Sequence, residues 1–348
     1  MRLAVVYGTR PEAIKLAPVV SELRRRGGQP TILSTGQHTT LLRGTPAESV
    51  LIPDVSLGLA SDNDPLQYAR VCEAALRAKW CQDRPDLVMV QGDTASAYAG
   101  AIAASGNIPV AHVEAGIRSG DDSDPWPEEI FRREIDTIAS QNGGWKFAPT
   151  DHAKCNLLDW WHTETTGNPG IDALYAEVRP TTAVDPVVLV TLHRRESFGA
   201  PLDRLVAGLC EAARRHPRLG FWWPTHPNPQ VQAALPNIVP ENLHFVAPWD
   251  HNGFAWQLCM ARAVITDSGG VQEEAAALGV PCVVARDKTD RPESVDVGLA
   301  RVAGRTAEGI LEGLEWALSF STRPDPSPCF GDGSAAPRIV DHLLSVSG

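Results

Sequence analysis

The chain has 348 residues, 43% of them hydrophobic and 21% charged, and a formal net charge of -11. That length exceeds one ordinary core and points to two domains. The negative charge makes nucleic acid an unexpected partner, and no run approaches the ~20 uninterrupted apolar residues of a membrane span.

Residues 3–8, LAVVYG, read as a buried strand. The following helix sets Leu16, Val19, Val20 and Leu23 on one face, carries arginines in its last turn and ends at glycines. Further strands are expected at 30–36, 86–92 and 108–116, with a small-residue helix, TASAYAGAIAASG, between the last two. PWPEE opens another helix, with Pro127 expected at its first position and Glu128 and Glu129 in its first turn, where the dipole favours ionised carboxylates. WKFAPT and a helix near HAKCNLLDWW close this half. The second half repeats the scheme. A strand at 186–193, then GFWWPTHP, LHFVAPW, AVITDSGG and PCVVARD, alternate with helical patterns, and AAPRIVDHLLSV is a last helix. Continuous apolar strands alternating with helices predict an α/β fold of two doubly wound, Rossmann-like parallel sheets. The Gly/Pro-rich stretch 165–186 is the expected boundary.

Ligands of such sheets bind beyond the strand C-termini. The polar residues expected there are Arg10, Gln37, Asp93, Glu114, His193, His226 and Ser268, and two domains would bring them to the cleft between them. Ser268, Gly269 and Gly270 turn a strand into a helix. Such a turn lets a phosphate approach the backbone and the first helical N–H groups, although it equally reads as a plain glycine turn. Glu274, one turn on, is placed for a ribose diol. Arg10 suits bidentate phosphate binding, while Lys15 by itself reads as a lysine snorkelling off its helix. His193, beside Arg194 and Arg195, suits protonation of a leaving phosphate.

Three carboxylates are candidates for proton transfer. Asp93 serves either that role or as a helix N-cap. Glu114 lies in a buried strand and needs a partner there. Glu128 shares a helical face with Phe131, Arg132 and Ile135. Phe131, packed on its carboxyl group, would raise the pKa by desolvation, against Arg132 and the helix start. The seven cysteines form no C-x-x-C pair, which points to reduced thiols and no zinc site, and MRLAVVYGTRPE does not read as a signal peptide.

Taken in order, GTRPEAIKLAP, TGQH, QGDT, HVEAGIRSGD, PWPEE, TLHRRESFG, THPNP, DSGGVQEEAAALGVP and RDKTDRPESVDVG resemble the non-hydrolysing UDP-N-acetylglucosamine 2-epimerases, from Met1 to about Gly304. The resemblance implies a GT-B-like fold. Residues 1–167 with a returning helix, 333–348, would form the N-terminal domain, and 168–332 the UDP-binding domain. It implies reversible conversion of UDP-GlcNAc and UDP-ManNAc by elimination and re-addition of UDP through a 2-acetamidoglucal. Asp93, Glu114 and Glu128 match the family's catalytic carboxylates, and His193 its histidine near the diphosphate. Arg10, Ser268 and Gly269, with Lys15 and Gly270 beside them, match the phosphate-binding segments. Glu274 matches the ribose-binding acid, and Phe254 and Arg291 fall where the family holds uracil. No metal or other cofactor is implied, and the family usually forms a cytoplasmic homodimer.

The sequence also departs from the family pattern. Thr39 and Thr40, in TGQHTTLLRG, and the segment SDNDPLQYARV differ where bacterial members build a second, activating UDP-GlcNAc site. Weakened substrate activation is the expectation. Ser197 and Phe131 each stand where asparagine is usual. Three alternatives use similar motifs: a hydrolysing epimerase releasing UDP and ManNAc, a B-type glycosyltransferase, and a nucleotide-sugar sensor without turnover.

Overall fold

The computed structural model describes residues 1–345 except 38–41, 43, 44, 46, 60–63, 124, 193–198, 226–234, 237 and 238. The chain divides into two compact units, Met1–Ala173 with Gly331–Gly348, and Leu174–Phe330.

The first unit holds β1 (Leu3–Tyr7), α1 (Arg10–Arg25), β2 (Thr31–Ser34), α2 (Ala47–Val50), β3 (Val55–Ser56), α3 (Pro65–Gln82), β4 (Leu87–Gln91), α4 (Ala95–Ala104), β5 (Val110–Val113), α5 (Glu128–Gln141), β6 (Trp145–Ala148), α6 (Asp151–Cys155), β7 (Thr163–Thr165) and the start of α7 (Pro169–Glu177). Its strands are parallel in the order β3-β2-β1-β4-β5-β6-β7. Strand addition reverses between β1 and β4, the switch point at which ligands of doubly wound sheets bind. Alternate residues of these strands feed two cores, as a sheet covered on both faces requires. Leu3, Val5, Leu87 and Met89 pack with Leu16, Val19 and Val20 of α1, while Ala4, Val6, Val88 and Val90 pack with Tyr68, Leu76, Ala97 and Phe131 from α3, α4 and α5.

The second unit holds the rest of α7, then β8 (Val187–Thr191), α8 (Ala200–Arg215), β9 (Gly220–Pro224), β10 (Leu243–Val246), α9 (His251–Met260), β11 (Ala263–Thr266), α10 (Gly269–Leu278), β12 (Cys282–Val284), α11 (Pro292–Asp296), β13 (Ala300–Val302) and α12 (Ala307–Leu318). Its six strands are also parallel, in the order β10-β9-β8-β11-β12-β13, with the switch point between β8 and β11. Val188, Val190, Phe221 and Ile265 of the sheet meet Leu202, Leu205 and Leu209 of α8 and Ile310 and Leu314 of α12.

The chain then returns to the first unit as α13 (Ala335–Ser345). Ala336, Ile339, Val340 and Leu343 bury into the core that α1 covers. Asp172 accepts hydrogen bonds from the Ala335 and Ala336 amides at 3.1 and 2.8 Å, occupying donors that a helix start leaves unpaired.

The α/β reading with two doubly wound sheets therefore holds. Other details differ from the sequence reading. The 18-residue α3 and the short strands β3, β7 and β13 were not anticipated. The helix expected over HAKCNLLDWW stops at Cys155, and Leu158, Trp160 and Trp161 stand exposed. Pro127 precedes α5 as its N-cap residue, so Glu128 is the first helical position. Among the described residues, no helix is long and apolar enough to cross a membrane.

Candidate active site

The switch point of the first unit is built from two strand-to-helix turns. After β1, Thr9 caps α1 in a reciprocal capping box with Glu12. The Glu12 carboxylate is fully buried. One oxygen accepts from the amides of Gly8 and Thr9 at 3.0 and 2.7 Å and from the Thr9 hydroxyl at 2.7 Å. The other accepts from the Thr94 hydroxyl at 2.7 Å. Glu12 therefore ties the turn that carries Arg10 to the turn that carries Asp93. Burial raises its pKa, and the hydrogen bonds from Thr94, Thr9 and the backbone oppose that rise. Gly8 permits this close approach, since a Cβ there would lie 1.9 Å from Ser96 Oγ.

Glu114 follows β5 and is the sole described non-glycine residue with positive φ, at 72°. Its buried carboxylate takes the Lys15 ammonium, the Gln91 amide at 2.6 Å and the Asn168 amide at 3.3 Å. Lys15 thus pairs with a buried acid rather than snorkelling to solvent, and the partner that Glu114 required is found.

Asp93 does not cap the next helix. Thr94 does, through its hydroxyl and the Ala97 amide at 3.1 Å. The Asp93 carboxylate instead receives Arg132 of α5, from Nε at 3.0 Å and from a terminal guanidinium nitrogen. Arg132 also donates to Glu129 at 3.1 Å, and the same Glu129 oxygen accepts from the Ser119 amide at 3.0 Å. Glu129 is fully buried, so it braces Arg132 and is no ordinary solvated first-turn acid. Glu128 is partly exposed at the start of α5, one turn before Arg132. Phe131 turns into the core and stacks on Tyr98, with ring centroids 4.3 Å apart.

Behind this group lies a buried His112–Asp136 pair, joined by the partly exposed Arg118, that the sequence reading did not single out. His112 of β5 is fully buried, with Nδ1 2.6 Å from Asp136 and Nε2 2.8 Å from the Gly92 carbonyl oxygen. The other Asp136 oxygen receives Arg118 at 2.6 Å and the Gly116 amide at 3.3 Å. Burial pushes the Asp136 carboxyl up, but His112 and Arg118 outweigh it and hold its pKa below the ordinary value. A histidine inside the apolar run VAHV was the available signal, as the pattern Thr-x-x-Glu was for Glu12.

In the second unit, Thr191 of β8 donates to Thr266 of β11 at 2.6 Å, and the Thr266 hydroxyl accepts from the Ser268 amide at 3.0 Å. Ser268 is the N-cap residue of α10, and its hydroxyl makes no capping bond. A Cβ at Gly270 would meet nothing within 4 Å, whereas one at Gly269 would come 3.3 Å from the Arg291 guanidinium. Arg291 is buried, paired with Glu273 and, at 3.0 Å, with Asp290. It therefore stands against the glycine turn. Glu274 is partly exposed one turn into α10, and Phe254 is partly exposed on the neighbouring α9.

The structure thus gathers Arg10, Lys15, Asp93, Glu114 and Glu128 at the strand C-termini of the first sheet. It gathers Ser268, Gly269, Gly270, Glu274 and Arg291 at those of the second. His193, with Arg194 and Arg195, lies outside the described residues, as do His226, Thr39, Thr40 and Ser197.

The profile of the family described as UDP-N-acetylglucosamine 2-epimerase matches residues 21–344. A probable UDP-N-acetylglucosamine 2-epimerase of Ralstonia nicotianae is 35% identical over 370 residues, covering 97% of each chain. The structure of UDP-GlcNAc 2-epimerase from Neisseria meningitidis bound to UDP-GlcNAc superposes with a TM-score of 0.89 at 31% identity, covering 99% of this chain and 100% of that one. The Methanocaldococcus jannaschii enzyme in complex with UDP-GlcNAc and UDP gives a TM-score of 0.87 at 31% identity, with the same coverage.

Proposed function

Since the chain belongs to the UDP-N-acetylglucosamine 2-epimerase family, a family of isomerases, we infer that it interconverts UDP-GlcNAc and UDP-ManNAc without hydrolysing them. In the proposed reaction a base removes the C2 proton while the C1–O bond to UDP breaks, leaving a 2-acetamidoglucal. UDP then re-adds at C1 as a proton arrives on the opposite face of C2. The reaction has no net redox change.

The observation that carries this reading is the pairing of Asp93 with Arg132 and of Glu114 with Lys15, at the ends of adjacent strands β4 and β5. Two acids with different cationic partners beside the β1/β4 switch point suit proton transfer next to a departing anion. Asp93, Glu114 and Glu128 are the proposed proton-transfer groups, and His193 the proposed group at the departing diphosphate. The Ser268–Gly269–Gly270 turn and Arg10 are the proposed diphosphate contacts, with Glu274 for the ribose and Phe254 for the uracil. The burial of Arg291 against Gly269 supports a role for it in shaping the phosphate turn.

Proton NMR of UDP-GlcNAc with enzyme in heavy water tests the reading. Deuterium at C2 together with UDP-ManNAc is the expected result. Release of UDP with free ManNAc would establish the hydrolysing reaction instead, and unchanged substrate across a pH series would defeat both. Weakened substrate activation predicts hyperbolic UDP-GlcNAc saturation and turnover of UDP-ManNAc without added UDP-GlcNAc. Strict dependence on UDP-GlcNAc overturns that part. A homodimer is also proposed, and light scattering at working concentration checks it.

A further inference from the structure

We propose that His112 is a positioning residue for Asp93, acting through its Nε2–H bond to the Gly92 carbonyl and held in place by Asp136 and Arg118. The inference rests on the catalytic reading of Asp93. Gly92 O is a hydrogen-bond acceptor only, so Nε2, 2.8 Å away, bears the hydrogen. Nδ1 faces the Asp136 carboxylate 2.6 Å away. The carboxylate is itself anchored by Arg118 at 2.6 Å and by the Gly116 amide at 3.3 Å, so the ring has one orientation.

The peptide between Gly92 and Asp93 is where this matters. The Gly92 amide donates to Val113 O at 2.9 Å, and its carbonyl is held by His112. One residue on, Thr94 is fixed by the Glu12 carboxylate at 2.7 Å and by capping α4. Asp93 therefore sits between two clamped neighbours, and its carboxylate is aimed by Arg132. Gly92 has φ 69°, which leaves the turn dependent on such clamps rather than on side-chain packing of its own. His112 is fully buried on the core side of the turn, which is why it is assigned to positioning and not to catalysis. The outer end of the relay is accessible. Arg118 is partly exposed and, with Asp136 and Lys146, lines a cavity of about 610 Å³.

The test uses Asp93→Asn, His112→Asn, His112→Gln and the Asp93→Asn/His112→Asn pair, each assayed by C2 deuterium exchange. Glutamine reaches the position of Nε2 with an N–H donor; asparagine reaches only Nδ1. His112→Asn is expected to lower kcat about 100-fold with KM within about two-fold, and His112→Gln to restore most of that loss. The pair is expected to be no slower than Asp93→Asn alone. Equal losses for Asn and Gln at position 112, a loss confined to KM, or multiplying losses in the pair would overturn the positioning role while leaving Asp93 intact. Full turnover by Asp93→Asn would overturn the underlying reading instead. If neither position-112 variant folds, Arg118→Gln at the exposed end carries the test. It is expected to lower kcat about 10-fold, and unchanged kcat there overturns the relay.

Discussion

Arg132 of α5 and Asp93 at the end of β4 are 39 residues apart in sequence, and the guanidinium meets the carboxylate with Nε at 3.0 Å. The same guanidinium serves the fully buried Glu129 at 3.1 Å. A planar fork can satisfy both acids, while an ammonium can only approach them as a point charge. Arg132→Lys is therefore expected to retain the fold and lose turnover. Arg132→Met leaves Glu129 buried without its guanidinium and should cost about 3–5 kcal/mol of stability. Urea unfolding with steady-state turnover separates the two effects. A fully active lysine variant would show that only charge matters at this position.

Glu114 combines a left-handed backbone with a buried, hydrogen-bonded carboxylate. Removing the carboxylate should abolish turnover whether alanine or glycine replaces it. The two should differ in stability, because the left-handed conformation costs about 1–2 kcal/mol for a residue with a Cβ and little for glycine. The loss of the Lys15 partner is common to both variants and cancels in the comparison. Unfolding free energies should thus rank Glu114→Gly above Glu114→Ala. The reverse order would mean that the turn relaxes when the carboxylate is gone.

The strands and amphipathic helices were legible because apolar runs such as those of β1, β4, β5 and β8 have few readings inside an α/β chain. The unanticipated elements are those where that signal is weakest. β3 is two residues long, β7 reads Thr-Glu-Thr and β13 carries Arg301. In α3 the core-facing Tyr68, Cys72, Leu76 and Trp80 are interleaved with Arg70, Arg77 and Lys79, which hides a correctly spaced apolar stripe. At the site, residue types at strand ends marked Asp93 and Glu114. Their partners Arg132, Lys15, Gln91 and Asn168 come from other elements, and no local pattern pairs them. The burial of Glu129 against Arg132 is illegible for the same reason, since only the fold shows what covers it.

Phe131 shares a helix with Glu128, and a desolvating contact between them would couple it to the pH dependence of turnover. The ring instead stacks on Tyr98 with planes 18° apart, inside the core between α4 and α5. Phe131→Leu is therefore expected to lower the melting temperature and leave the pH profile of kcat unchanged. Phe131→Asn adds a buried amide to the lost ring and should cost roughly 3–5 kcal/mol or more. A shifted profile in the leucine variant would restore a functional link to Glu128.

Asp136 gives a pH dependence of stability whose sign follows from its surroundings. Desolvation alone would raise its pKa, but His112 and Arg118 prevail and hold it below 3.8. A depressed carboxylate stabilises the fold above its unfolded value, and that contribution is lost as pH falls through the folded value. Asparagine at this position cannot titrate. The stability difference between the native protein and Asp136→Asn should therefore be full at about pH 6 and shrink only once the pH falls below 3.8. Urea unfolding of both proteins at stepped pH measures it. A difference that stays constant into the acid range would mean that the carboxylate acts there through shape and hydrogen bonding alone. A difference that shrinks already near pH 6 would overturn the depressed carboxylate at Asp136.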